Sequence, residues 1–426
     1  MSEERFEVIV IGGGLAGLSA AYRLSKAGRK VLVLEKAPHC GEKNISGGRI
    51  YTYALDKLMG DEWKDAPLER EINQEFLMMM NEEDALVIDT TTNALGNQSY
   101  SVQRSHFDRW LAKKVEEAGG LVIGGATVDG LIRKDGRVCG VTVGDEELEC
   151  DLVIDAEGAN PIVAERDGVI DPIQLENYAI GIKSVYRLSE EIINDRFNTD
   201  TDKGAALLGM GSANQGLFGG LFMYTNKKTI SIGLVQDAKT WMDSGLKIQD
   251  AMELIKDHPL ISKYIEGGAL VEYTAHLIPE GGYDAFSEFC DDGILVTGDA
   301  AGLCMNRGFT VRGMDYAIMS GIAAADTADQ ALTKGVFSKD FLSMYTARLE
   351  HNVLNDFKTL KRGHNYMANS EHLFTTYPDL AITALQSMNK VDGGALHGVV
   401  KTIVKGLPKI KVFSVAKDAI KGVLSL

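Results

Sequence analysis

Two short apolar runs flank a glycine-rich turn near the start of the chain. Phe6 to Ile11 is rich in β-branched residues and predicts a buried parallel strand. The next six residues read GGGLAG and match G-x-G-x-x-G, after which Leu18 to Ala27 predicts a helix. Val31 to Leu34 predicts a second strand. The order strand, turn, helix, strand indicates a dinucleotide-binding βαβ unit of an α/β fold.

Each residue type in this unit has a physical task. Gly12 permits the tight turn, Gly14 lets the backbone approach a pyrophosphate, and Gly17 lets the helix pack closely on the sheet. The helix N-terminus presents free N–H groups to the phosphates. Glu35, at the end of the second strand, can accept hydrogen bonds from ribose hydroxyls and would repel a 2′-phosphate, which argues against NADP. The turn alone does not choose between NAD and FAD.

Alternating and apolar runs in the middle of the chain predict an antiparallel sheet. They are Ala179 to Tyr186, Gly216 to Tyr224 and Thr229 to Val235. Leu277 to Gly282 predicts a turn that leads back to the nucleotide-binding domain. The aromatic and aliphatic content suits a prenyl or quinone ligand, and it equally suits an ordinary sheet core.

Composition narrows the function classes. The chain has 426 residues, of which 45% are hydrophobic, and its net charge of -16 argues against a nucleic-acid-binding protein, which needs a cationic surface. The N-terminus lacks a secretory signal and no long uncharged apolar run occurs, so we expect a cytoplasmic protein. The five cysteines are widely spaced, which favours isolated reduced thiols over a disulfide framework, a zinc ribbon or an iron–sulfur cluster.

The C-terminal region, residues 337–426, predicts mostly helices. Its last segment, Lys401 to Leu426, contains six lysines and one acid, Asp418, among apolar residues. A basic amphipathic segment can lie on an anionic membrane surface, which would place the protein on the inner face of the cell membrane. It can also pack on the body of the protein or dock an acidic partner.

Four segments resemble one flavoprotein group. They read HCGEKNISGGRIY at 39–51, SVQRSHFDRWLA at 101–112, LVIDAEGAN at 152–160 and GILVTGDAAGLCMNRGFTVRGMD at 293–315. Their order and spacing resemble the group of aromatic hydroxylases, geranylgeranyl reductases and electron-transfer-flavoprotein:quinone oxidoreductases, over roughly residues 5 to 350. Within it, the pieces KNxSGGRxY and GDAAGxCMNxGFTxRGMD look like the FixC branch.

The resemblance implies FAD as the cofactor and a fold in three parts. A Rossmann-like FAD-binding domain of the glutathione-reductase and hydroxylase type, residues 1–170 plus 285–340, would be interrupted by an antiparallel-sheet substrate domain, residues 171–284. A helical C-terminal region, residues 341–426, would follow. In related flavoproteins the inserted sheet binds the substrate, here a quinone.

The last motif predicts the flavin end of the site. Gly293 to Val296 predicts a strand, and the family assigns the aspartate that follows, Asp299, to a ribityl hydroxyl; the alternative is a helix cap. Met314 to Ala328 predicts a helix whose N-terminus would stabilise negative charge on a reduced flavin. Arg312 can add positive charge there or pair with a surface carboxylate.

Further cofactor residues come from the other motifs. Gly47 and Gly48 leave room for backbone against the isoalloxazine ring, and similar family members place the arginine at Arg104 near the phosphates, where an ion pair with Asp108 is also possible. The family's Asp-Gly is Glu157-Gly158 here, which predicts changed neighbouring contacts. The predicted cofactor residues are Gly12, Gly14, Leu15, Ala16, Gly17, Glu35, Lys36, Asn44, Ser46, Gly47, Gly48, Arg104, Gly158, Gly298, Asp299, Gly308, Arg312 and Gly313.

The resemblance implies an electron-transfer dehydrogenase that passes electrons from an electron-transfer flavoprotein through FAD toward quinone. No cysteine follows Cys304, so the four-cysteine cluster of full-length quinone oxidoreductases is missing, and FixC-type proteins take it from a ferredoxin-like iron–sulfur subunit. Such electron traffic requires no acid–base pair, and we assign no catalytic residue and no metal ligand. The alternative is a prenyl reductase, whose Tyr-x-Trp-x-Phe-Pro pattern is absent; an aromatic hydroxylase and a non-catalytic FAD scaffold rank lower.

Overall fold

A computed structural model describes residues 5–43, 48–91, 99–211, 217–307, 310–391 and 393. Four predicted cofactor residues, Asn44, Ser46, Gly47 and Gly308, lie outside the described residues, as does the basic segment 401–426.

The strands and helices are numbered in chain order. The strands are β1 (Val8–Ile11), β2 (Val31–Glu35), β3 (Arg49–Tyr51), β4 (Leu68–Met80), β5 (Ala85–Asp89), β6 (Ser99–Val102), β7 (Leu121–Gly124), β8 (Gly130–Lys134), β9 (Arg137–Val143), β10 (Glu146–Glu149), β11 (Leu152–Asp155), β12 (Tyr178–Arg187), β13 (Lys203–Gly211), β14 (Gly219–Thr225), β15 (Thr229–Asp237), β16 (Ala269–Pro279), β17 (Cys290–Asp291), β18 (Ile294–Val296), β19 (Met305–Asn306) and β20 (Val311–Arg312). The helices are α1 (Leu15–Lys26), α2 (Thr52–Met59), α3 (Arg104–Glu117), α4 (Ile162–Arg166), α5 (Glu190–Phe197), α6 (Ala238–Ser244), α7 (Ile248–Asp257), α8 (Pro259–Ile265), α9 (Met314–Lys334), α10 (Lys339–Leu342), α11 (Met344–Leu349), α12 (Asn355–Ala368), α13 (Glu371–Phe374) and α14 (Thr376–Asn389).

A six-stranded sheet forms the first layer of the fold, in the order β17-β18-β11-β1-β2-β7. Its pairs are parallel except β17 with β18. All four residues of β1 are buried, as their uninterrupted apolar run predicts. The predicted strand, turn, helix and strand are confirmed, with α1 beginning three residues earlier than predicted, at Leu15.

A second sheet of nine strands has the order β16-β12-β15-β14-β13-β4-β6-β3, with β5 paired to β4. The three strands predicted in the middle of the chain are confirmed as β12, β14 and β15. Its pairs are antiparallel except β4 with β13. The turn predicted from Leu277 is wrong for its first three residues, because Leu277 and Ile278 pair with β12 and extend β16 to Pro279.

The second sheet takes β3, β4, β5 and β6 from residues 49–102. These strands precede the range predicted for the inserted domain, and the predicted domain boundaries stay a prediction. The fold class itself is confirmed: a Rossmann-like α/β sheet, a largely antiparallel second sheet and C-terminal helices. The helical prediction after residue 337 holds through Asn389.

Within the described ranges, no helix combines the length and apolar character needed to cross a bilayer. All five cysteines are buried free thiols, as their spacing predicts. The described residues contain no group of three or more metal-ligating side chains.

Candidate functional site

A cavity of about 670 Å³ lies between the two sheets. One side is formed where β1, β2, β11 and β18 end, which is where open α/β sheets bind their ligands. The opposite side is formed by residues of β4, β12, β13, β14 and β16. The cavity therefore joins the ends of a parallel sheet to the face of a second sheet.

The glycine-rich turn shapes one end of the cavity. Gly12 has a φ of +99°, and a Cβ there would overlap the carbonyl oxygen of Ala156. A Cβ at Gly17 would overlap the carbonyl oxygen of Gly12, so this glycine lets α1 pack against the turn. Gly14 stands at the N-cap of α1 and provides no side-chain cap. The first N–H groups of α1 thus face the cavity with their positive end.

Glu35 is held in place by backbone N–H groups. Its Oε2 accepts from Gly13 N at 2.8 Å and its Oε1 accepts from Ala37 N at 2.7 Å. The side chain is buried at the end of β2 and lines the cavity. Each carboxylate oxygen keeps a second lone pair, so the group can still accept from ribose hydroxyls.

Arg104 and Asp108 form the local ion pair that their spacing predicts. Two hydrogen bonds of 2.7 Å join the guanidinium to the carboxylate, and Asp108 is fully buried. Arg104 lines the cavity and lowers the pKa of Asp299 by its charge, whereas burial, the larger effect, raises that pKa. The arginine thus places a positive charge, paired with Asp108, close enough to Asp299 to favour its ionised form.

Asp299 lies in the first turn of a short 3-10 segment, Gly298–Ala301, directly after β18. The position before that segment is held by Thr297, and Asp299 lines the cavity instead of capping α9. A Cβ at Gly313, the residue before α9, would lie 3.9 Å from Asp299 Oδ1. The carboxylate and the N-terminus of α9 therefore face the same part of the cavity.

Arg312 is tied into a network of carboxylates and tyrosines. It donates to Asp315 at 3.0 Å, to Asp356 at 3.2 Å and to the hydroxyl of Tyr53 at 3.1 Å, and it lies 4.4 Å from the ring centre of Tyr316. The sequence left open whether it adds charge or forms an ion pair. The ion pairing is present, and Asp315 is buried within it. Arg312 still lines the cavity.

The contacts of Glu157 explain how this chain accommodates a glutamate where the family has the aspartate of Asp-Gly. Glu157 Oε2 accepts from Val163 N at 2.9 Å and from Ala164 N at 3.3 Å, so the longer acid caps the short helix α4. Its own N–H donates to Asp155 Oδ1 at 2.9 Å. Burial raises the pKa of Asp155 well above its ordinary value, and the charge of Glu157 raises it further. The changed contacts that the sequence predicts are therefore those of a helix cap.

The structure brings most predicted cofactor residues together. Those that line the cavity are Gly12, Gly14, Leu15, Ala16, Glu35, Lys36, Gly48, Arg104, Gly158, Asp299, Arg312 and Gly313. Gly17 and Gly298 lie behind this surface, where Gly298 has a φ of +65° and packs against Ala16. Their contact with a cofactor stays a prediction.

Four basic residues that line the cavity were missed from the sequence: Lys43, Arg49, Lys183 and His276. Arg49 pairs with Glu75 at 2.6 Å, and Lys183 pairs with Glu272 at 2.8 Å. Lys183 lies on β12 and His276 on the neighbouring edge strand β16 of the second sheet. In a strand, alternate side chains point to opposite faces of the sheet, and the sequence does not say which face borders a cavity. Only the packing of the two sheets shows that these residues line it.

The second-sheet side of the cavity is mostly apolar. The apolar residues it presents are Leu77, Met78, Met79, Ile88, Ile182, Leu208, Met210, Leu221, Phe222, Val235, Leu277 and Ile278. The polar end fits an adenosine diphosphate through a close-approach turn, two helix N-termini and a buried carboxylate. The residues present therefore fit FAD, and the second sheet adds an apolar surface to the same cavity.

Three family models match successive parts of the chain. Residues 7–166 match "FAD dependent oxidoreductase", residues 178–278 match "ETF-QO, ubiquinone-binding", and residues 363–426 match "ETF-QO/FixC family C-terminal domain". The middle match covers β12 to β15 and nearly all of β16, which form most of the apolar side of the cavity; β4 and β5 lie outside it.

Curated relatives extend over the full chain. The chain is 40% identical to Protein FixC of Escherichia coli O157:H7 over 429 residues, covering 100% of both. It is 38% identical to the probable electron transfer flavoprotein-quinone oxidoreductase YdiS of Escherichia coli K12, again over 100% of both. Among solved structures, a geranylgeranyl bacteriochlorophyll reductase-like protein from Thermoplasma acidophilum shares the fold, with a TM-score of 0.73 at 19% identity over 97% of this chain and 98% of that one.

Proposed function

Because the chain belongs to the FixC family of electron-transfer-flavoprotein:quinone oxidoreductase-like proteins, we propose that it passes electrons from an electron-transfer flavoprotein through FAD to a quinone. The protein is an FAD-dependent oxidoreductase of electron transfer with a ubiquinone-binding domain. The donor, the acceptor and the route between them are the proposal. FAD supplies the exchange of one or two electrons when bound.

The apolar side of the cavity supports a quinone as the acceptor. A quinone has a flat ring and an isoprenoid tail, and its burial against aliphatic and aromatic side chains is favourable in proportion to the apolar area covered. Leu208, Met210, Phe222 and Val235 lie on β13, β14 and β15 and face the cavity. This apolar face, continuous with the FAD side, is the observation that supports the proposal most strongly.

A separate iron–sulfur subunit is part of the proposal. The chain has no cysteine after Cys304, and its five cysteines are all buried free thiols. Cysteine thiolates are the ligands that such clusters require. A ferredoxin-like partner would supply the missing one-electron carrier between the electron-transfer flavoprotein and FAD.

Peripheral membrane contact through residues 401–426 completes the proposal. The six lysines of this segment supply attraction to anionic lipid, and the quinone is itself a membrane lipid. A variant that ends near residue 400 should keep its FAD and lose binding to anionic liposomes in a flotation assay. Unchanged binding by this variant would remove the membrane part of the proposal.

The central experiment follows the flavin spectrum under anaerobic conditions. The protein is mixed with reduced electron-transfer flavoprotein, with and without the ferredoxin-like subunit, and separately with NAD(P)H. A soluble quinone or a geranylgeranyl lipid is then added to dithionite-reduced protein. We expect reduction by the flavoprotein, faster with the iron–sulfur subunit, and reoxidation by quinone.

Two results would contradict the proposal. Saturation of the lipid, detected by mass spectrometry, would identify a prenyl reductase. Rapid reduction by NAD(P)H together with failure to react with quinone would identify a hydroxylase-like reaction. Protein that is colourless when purified and does not bind FAD on titration would contradict the cofactor assignment itself.

A further inference from the structure

A buried acid, Glu280, lies behind the FAD cavity and is not among the predicted cofactor residues. It follows β16 directly and the residue is only 6% exposed. Its Oε2 accepts a hydrogen bond of 2.9 Å from Asn306 Nδ2. Among the residues that the structure describes, none hydrogen-bonds its Oε1. A buried carboxylate with one unpaired oxygen is costly when charged and much less so when protonated.

Glu280 lies between two spaces. Asn306 lines the FAD cavity and also lines a second cavity of about 20 Å³, of which Glu280 is itself a wall. The second cavity reaches Lys361 and Asp284, whose side chains are 45% and 59% exposed. Protons from solvent therefore have a short approach to Glu280 from the side opposite the flavin.

The charges around Glu280 are mostly negative. The titratable groups that face it are Asp237, Asp299, Cys304, Tyr283, Asp284 and Lys361. The pKa of Glu280 is raised to about 7, mainly by burial; the hydrogen bond from Asn306 lowers it, and the charges of Asp237 and Asp299 contribute to the rise. Lys361 is already paired with Asp284 at 2.6 Å. Glu280 thus exchanges its proton near neutral pH, where another nearby negative charge shifts the balance toward the acid.

We propose that Glu280 takes up a proton from solvent when the FAD gains electrons, so that part of the added negative charge is neutralised beside the cavity. The electrons come from the reductant and the proton comes from water. Glu280 Oε1 gains an O–H bond, and no other bond of the residue changes. Glu280 does not touch the reacting atoms. It is a positioning residue whose charge changes the electrostatic potential at the flavin across the cavity wall at Asn306. The proposal requires only that FAD is reduced, and does not depend on the electron donor or on quinone.

The test compares the flavin midpoint potential of the wild type and Glu280→Gln in the full-length FAD-bound protein, using dithionite and spectroelectrochemistry. Glutamine mimics the protonated acid. At about pH 5 the two potentials should coincide, because the acid is protonated before reduction. At about pH 9 the variant should have the more positive potential. A tenfold rise in the proton affinity of Glu280 on reduction corresponds to about 30 mV for a two-electron couple.

If the midpoint potentials of the wild type and Glu280→Gln differed by the same amount at every pH, the effect would be purely structural and the proposal would be overturned. Equal potentials at every pH would overturn it as well. Asp61→Asn serves as the control, since its charge lies at the surface, 86% exposed and away from both cavities, and its potentials should follow the wild type. If Glu280→Gln fails to fold, the redox-induced infrared difference spectrum of the wild type still decides. A carboxylic acid C=O band should appear on reduction and shift in D₂O, and its absence would overturn the proposal.

Discussion

The two sides of the cavity are built by different means. On the side of the six-stranded sheet, the surface is mostly main chain: a turn at Gly12, the N-terminus of α1 and a carboxylate held by backbone N–H groups. On the side of the nine-stranded sheet, the surface is side chain, and most of it is apolar. The first side has little tolerance for added atoms, whereas the second is defined by the size and polarity of individual residues.

This difference separates two kinds of recognition. Main-chain groups are the same in every residue, so the first side recognises the diphosphate and ribose common to adenine dinucleotides. Side chains differ, so the second side selects the reacting partner. The comparison predicts that substitutions on the first side remove FAD, and that substitutions on the second side change the substrate and leave FAD bound.

The largest effect is expected from Gly12→Ala. Its methyl group would overlap the Ala156 carbonyl, and the φ of +99° is strained for any L-residue. We expect the purified variant to hold less than about a tenth of the wild-type flavin, as read from its visible absorbance, because the turn must move away from the phosphates. Gly28→Ala is the control, with a φ of +81° and no described atom within 4 Å of the added carbon. If both variants lost FAD equally, backbone strain alone would explain the result.

The next effect is expected from Glu35→Gln. An amide NH₂ replaces one acceptor oxygen, so one of the N–H groups of Gly13 and Ala37 loses its partner. A hydrogen bond to a charged group contributes about 1.5–3 kcal/mol, so the FAD dissociation constant should rise by about tenfold to a hundredfold. Fluorescence titration of the apoprotein with FAD measures this. Glu62→Gln, a substitution at an exposed pair with Lys26, should leave the constant unchanged.

Leu208→Asn tests the apolar side. The substitution keeps the side-chain size and places an amide against the proposed quinone, where an unpaired polar group costs about 1–3 kcal/mol. We expect the KM for quinone to rise by about tenfold, with the FAD content unchanged. Leu254→Asn, at an exposed position on α7, is the matched control. Loss of FAD in the Leu208 variant would contradict the division between the two sides.

The smallest effect is expected from Asp155→Asn, beneath the main-chain side. Burial raises the pKa of Asp155 in the folded state above its pKa in the unfolded state. The protonated carboxyl therefore stabilises the folded state at low pH, and this stabilisation is lost as the pH rises toward the pKa of the folded state. The free energy of unfolding of the apoprotein at about pH 7 should be about 1–2 kcal/mol higher in the variant, and the gap should close near about pH 4. Denaturant unfolding at both pH values measures it.

Asp151→Asn provides the comparison for that prediction. Asp151 precedes β11 and pairs with Arg5 at the surface, so solvent screens its charge and its substitution should change stability little. A pH-independent gain in the Asp155 variant would point to better packing rather than to relief of a buried charge.

The nucleotide-binding part of the fold could be predicted from sequence because its signals are local. The strand at Val8–Ile11, the turn, α1 and Glu35 all lie within one βαβ unit. The geometry of this unit is decided by short-range sterics and by the spacing of hydrophobic residues along the chain. The pair of Arg104 and Asp108 is likewise four residues apart on one helix. FAD followed from motifs that resemble a family, since the turn itself fits either dinucleotide.

Other features of the site depend on contacts between residues far apart in sequence. Arg312 on β20 pairs with nearby Asp315 and also with Asp356, which lies 44 residues later on α12 and which the sequence could not place beside it. Glu280 meets Asn306 only where the end of β16 packs beside β19. Strands from residues 49–102 join the second sheet through a parallel pairing with β13. By itself the sequence determined the cofactor-binding unit, since its geometry is a property of adjacent residues. Only the tertiary structure decided which charges are neutralised and which acid stays buried, because burial and pairing depend on the packing of distant elements.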